Sequence, residues 1–85
     1  MRPTYVLKVA LPDGLTQASL RWWEAELDRL FPQWLRQAAG HYMLPVSDGT
    51  LDDRLREQQR WRVLVAVTLE RFDLDHLTYH YVRVS

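Results

Sequence analysis

The chain has 85 residues, 47% of them hydrophobic, with 11 Lys and Arg against 11 Asp and Glu and no cysteine. That length supports one small domain, and this hydrophobic share at zero net charge is not the composition of a disordered segment. Without cysteine there is no disulfide scaffold, no cysteine-ligated zinc or iron–sulfur site and no thiol nucleophile, and the neutral sum argues against nucleic-acid binding driven by bulk charge.

Thr4 to Leu11 reads as a strand, because Tyr5, Leu7, Val9 and Leu11 alternate with Thr4, Val6, Lys8 and Ala10. Pro12-Asp13-Gly14 stops it. A long helix is predicted next, with Thr16 as N-cap. Its apolar stripe is Leu20, Trp23, Leu27, Leu30, Phe31, Trp34, Leu35 and Ala38, and Gly40 follows as the residue past its end. Pro32 cannot donate to the carbonyl of Asp28, so the helix is expected to kink or break there. His41 to Val46 reads as a short edge strand, since Pro45 lacks a ladder donor, and Ser47-Asp48-Gly49 as a turn. Thr50 caps a short surface helix of about 51–60, with Asp52 and Asp53 in its first turn.

Trp61, Val63, Val65, Val67 and Leu69 share a period-two face, which predicts a strand over Trp61–Leu69. A second strand over Leu77–Val84 is expected to pair with it as an antiparallel hairpin. The predicted class is α+β: a two-layer sandwich with a mainly antiparallel three- to four-stranded sheet, one long helix kinked near Pro32 and one short helix. The order is β-α-(β)-α-β-β, a variant of the ferredoxin-like plan. Val6, Ala10, Leu64, Ala66, Val82 and Val84 make the second sheet face more apolar than solvent requires.

No catalytic, cofactor or metal site is expected. Nucleophile elbows, glycine-rich phosphate loops and paired histidines at helical spacing are absent, and Gly14, Gly40 and Gly49 stand alone. On a strand, His76 and His80 lie about 13 Å apart, too far to share a metal ion. Asp73, Asp75 and His76 read as a polar turn, and His41 is isolated. Glu24 and Glu70 read as edge carboxylates paired with arginine. Tyr5, Tyr79 and Tyr81 could line a pocket, though aromatics on a sheet face beside a helix are usually core.

Two surfaces remain. Trp22 sits roughly 140° from the centre of the apolar stripe at 100° per residue, among Arg29, Gln33 and Arg36. An exposed tryptophan between arginines is the composition of an interface anchor. Arg54, Arg56, Arg60 and Arg62 form the second surface, for phosphate, nucleic acid or an acidic partner, or simply a solvated helix end. The leading expectation is a protein-binding module, of the inhibitor or adaptor kind that phages and mobile elements direct at host machinery. It would self-associate through the open sheet face or the His41–Val46 edge. Partner contacts would come from Trp22, Arg29, Arg36, Arg54, Arg56, Arg60 and Arg62. A nucleic-acid-binding domain using Arg54–Arg62 is the alternative, and a ferredoxin-like ligand-binding or enzyme subunit the next. Residues 1–10 lack a signal-like apolar run, and no 18-residue apolar window occurs, so a cytoplasmic protein with no membrane span is expected.

Overall fold

The computed structural model describes residues 5–46 and 50–83. Six elements follow in the order β1 (Tyr5–Ala10), α1 (Gln17–Leu30), β2 (Leu35–Ala38), β3 (His41–Val46), α2 (Leu51–Phe72) and β4 (Thr78–Arg83). The four strands form one sheet in the order β2-β3-β1-β4, with every neighbouring pair antiparallel. The expected class therefore stands, an α+β sandwich of two helices on an antiparallel sheet, but the order is β-α-β-β-α-β and not the expected β-α-(β)-α-β-β. Among the described residues no helix is long and apolar enough to cross a membrane.

β1 follows its alternation. Leu7 and Val9 are buried while Val6, Lys8 and Ala10 are half-buried on the other face. The turn after it places Gly14 at φ +88, a conformation that disfavours any side chain. α1 starts where Thr16 accepts from the amide of Ser19 at 3.1 Å. It stops at Leu30, so the proline breaks the helix rather than bending it. Phe31 closes the last turn on the carbonyl of Leu27, and the amide of Trp34 turns back to the carbonyl of Phe31. Leu35–Ala38 then pairs with β3 as β2. Gly40, at φ +78, is not a helix cap but one of two residues in the β2–β3 hairpin turn. The helical phase of Leu35 and Ala38 is thus coincidental, and both are exposed.

β3 is not an edge strand, because it lies between β2 and β1. Its proline is tolerated because β2 pairs only as far as Met43, and past that point β3 has β1 alone beside it among the described residues. The predicted turn at Ser47–Gly49 lies outside the described residues, as do Thr4 and Val84.

The largest correction concerns α2. Thr50 caps it as expected, in a reciprocal capping box with Asp53. The helix does not end near residue 60, and Trp61–Leu69 is not a strand. It runs to Phe72 and stops at Asp73, whose φ of 54 is left-handed. No Gly or Pro occurs anywhere between Leu51 and Phe72, and extending a nucleated helix is cheap. Trp61, Leu64 and Thr68 face the core, and Val65, Leu69 and Phe72 are half-buried at its margin, while Val63 and Val67 face out. β4 accordingly has no hairpin partner in Trp61–Leu69; it crosses over to pair with β1.

Both helices cover the same sheet face. Trp23 of α1 meets Tyr42 on β3, and Trp61 of α2 meets Tyr79 on β4; Tyr42 and Tyr79 flank Val9 in register. The core is Leu7, Val9, Leu11, Trp23, Leu27, Tyr42, Leu44, Trp61, Leu64 and Leu77. Of the residues expected on the open sheet face, Val6, Ala10 and Val82 alternate onto it, whereas Leu64 and Ala66 belong to the helix.

Candidate binding groove

The sandwich does not close at one end. A groove of about 710 Å³ lies between the N-terminal half of α2, the C-terminal end of α1 and the sheet. Its floor is core: Leu7, Leu44 and Trp61 are buried. Its walls are Tyr5, Phe31, Val46, Leu51, Leu55 and Tyr81. Register explains why they meet, since Tyr5 pairs with Val46, and Leu7 with Leu44 and Tyr81, at the same end of the sheet. Tyr5 and Tyr81 have the inward phase of Leu7, whereas Leu51 and Leu55 lie about 105° and 145° around α2 from its buried stripe. Leu51 is 70% exposed, Leu55 53%, Tyr81 53% and Tyr5 40%.

Arg54, Glu57 and Gln58 supply the polar groups of the groove. The buried Nε1–H of Trp61 has no acceptor among the described residues. Partial burial, with Tyr79 and Glu57 close by, pushes the Tyr81 phenol above its usual range. Among the described residues no group of His, Asp and Glu is arranged to hold a metal ion.

The residues singled out from sequence are dispersed. Trp22 is half-buried between the helices, edge-on to Phe72 at 5.5 Å, with the Arg71 guanidinium 4.6 Å over its ring. Trp22→Ala is therefore expected to cost about 2 kcal/mol, roughly half the penalty of a fully buried tryptophan. A thermal melt checks this, and an unshifted melt would return Trp22 to the surface. Arg29 pairs with Glu26 on α1. Arg60 donates to the carbonyl of Leu30 at 3.3 Å, tying α2 to the end of α1. Arg54 reaches the groove, while Arg56 and Arg62 are exposed. On the helix Arg54 and Arg56 lie about 160° apart, so the four arginines do not share one face.

Arg36 lies 3.6 Å from Glu24, which also accepts from the Tyr42 hydroxyl at 2.7 Å. Burial first, and then that hydrogen bond, push the Tyr42 phenol far above its usual range. A raised folded-state value means that the stabilisation is complete below pH 10, the unperturbed value, and is lost as pH climbs beyond it. Tyr42→Phe is expected to cost about 1–3 kcal/mol near neutrality and to make the alkaline decline shallower. Denaturant melts across pH check it; an alkaline limb as steep as in the wild type contradicts it.

From sequence, Leu51 and Leu55 are only the small apolar content of a surface helix; both are exposed, and they line the groove. Their signal was present but faint: the two apolar residues of an otherwise polar segment, one helical turn apart on the same face. Tyr5 and Tyr81 were weighed as pocket or core, and they line the groove. No protein-family model matches the chain, and no curated protein or solved structure shows significant similarity to it.

Proposed function

We propose that this domain is a protein-binding module whose groove takes the apolar face of an amphipathic helix from a partner protein. It would act as an inhibitor or adaptor by occupying that helix. The observation that carries this reading is the set of exposed apolar side chains that line the groove, Leu51 and Leu55 of α2 with Tyr5 and Tyr81 of the sheet. A sheet face is normally covered by helices, and here the cover is incomplete over Tyr5 and Tyr81. From Leu51 to Trp61 the groove follows α2 for about 15 Å, which matches about three turns of a docked helix. Such a helix would present apolar residues at i, i+3 or i+4, and i+7.

A small apolar ligand carrying one acceptor atom is the second reading, favoured by the unpartnered Trp61 Nε1–H. Selection from a displayed library of helical peptides separates the two. Enriched sequences are expected to share the i, i+3/i+4, i+7 apolar pattern and to lose binding when the domain carries Leu55→Glu. No enrichment, or enrichment indifferent to Leu55→Glu, overturns the helix-binding proposal.

A further inference from the structure

The sheet has two edges, and they are built differently. β2 is four residues long and shifts register between Arg36 and Ala38, so it offers a poor template for another strand. Short length and irregularity are how sheet edges are normally protected. β4 has neither feature. It is six residues long, pairs with β1 without a shift over its whole length, and contains no proline, glycine or lysine. Its outer backbone groups have no strand beside them among the described residues.

β4 is also a pseudo-palindrome. Around His80 the residues run Thr78, Tyr79, His80, Tyr81, Val82: β-branched, tyrosine, histidine, tyrosine, β-branched. An antiparallel pair of identical strands related by a two-fold axis must place like faces together, because each residue i meets a residue j and each j meets an i. Centred on His80, this strand meets that condition. Tyr79 lies opposite Tyr81 twice on the helix-covered face. Thr78 lies opposite Val82 twice on the open face, and the two His80 face each other at the axis. Aromatic pairs across strands are among the more favourable ones. Tyr79 and Tyr81 are 44% and 53% exposed in the single chain, so such pairing would cover them. The zero net charge imposes no repulsion between copies.

We propose that β4 is the interface between two copies of this chain, joined about a two-fold axis through His80 into one eight-stranded antiparallel sheet. This replaces the His41–Val46 edge expected from sequence; it shares Tyr81 with the groove wall but does not rest on the helix-binding reading. Sedimentation equilibrium tests it. The mass is expected to rise with concentration toward twice 10.2 kDa. His80→Glu is expected to remain monomeric and folded: the new carboxylate sits in register with Lys8 of its own chain but meets its own copy across the axis. Leu55→Glu, which alters the groove and not the edge, is expected to dimerise like the wild type. A wild-type monomer at the highest soluble concentration overturns the proposal. So does a folded His80→Glu variant that still dimerises, which would place the interface elsewhere.

Discussion

Trp23→Ala is expected to cost about 3–5 kcal/mol and to leave little folded protein at physiological temperature. Trp23 has no exposed surface and packs its ring against both Tyr42 and Trp61, so it joins α1 to the sheet and to α2 at once. A domain of this size has a total stability of about 4–13 kcal/mol, so one truncation removes a large part of it. Far-UV circular dichroism through a thermal melt should show a fall of more than about 12 °C. A fall of only a few degrees would mean that the three rings do not form a shared core. The adjacent residue provides the contrast, since Trp22 bridges the helices at their margin and should cost about half as much.

Leu55→Glu is expected to do the reverse, leaving the fold intact and removing the binding activity. Leucine and glutamate have similar helix propensity, and Leu55 is 53% exposed, so the melting temperature should barely move. A docked helix that covered this position would desolvate the new carboxylate in an apolar groove. Central interface residues commonly contribute 2 kcal/mol or more, so affinity for a groove-binding helix should fall by at least about 30-fold. A large loss of melting temperature in this variant would show that Leu55 is a core residue and that the groove is closed in solution.

Much of the architecture was legible in the residues. The β1 alternation, the caps at Thr16 and Thr50, and the two-layer α+β class all rest on local chemistry that the fold retains. The errors arose where one pattern satisfied two periods. Trp61, Val63, Val65, Val67 and Leu69 fit a strand, while Trp61, Leu64, Val65, Thr68, Leu69 and Phe72 fit a helix. Valine-rich composition favoured the first reading, but the absence of any stop after a well-capped helix start carries the chain into the second. Pro32 was seen, yet the helical phase of Trp34, Leu35 and Ala38 disguised a strand. Trp34 still reaches the core margin, where it packs on Tyr42 and donates to Asp28, but it does so from the loop before β2. The groove was harder to foresee. It arises because α2 overhangs the sheet end that α1 leaves uncovered, a long-range relation that no local spacing encodes.

The central claim is that the groove, and not the outer surface of α2, receives a partner helix. Leu55 and Val67 are both exposed apolar residues of α2, but only Leu55 lines the groove. The most direct measurement is the affinity of one selected amphipathic peptide for wild type, Leu55→Glu and Val67→Glu by fluorescence anisotropy. The account predicts wild-type affinity for Val67→Glu and at least about a 30-fold loss for Leu55→Glu. Equal affinities for the two variants, or a loss confined to Val67→Glu, would contradict it.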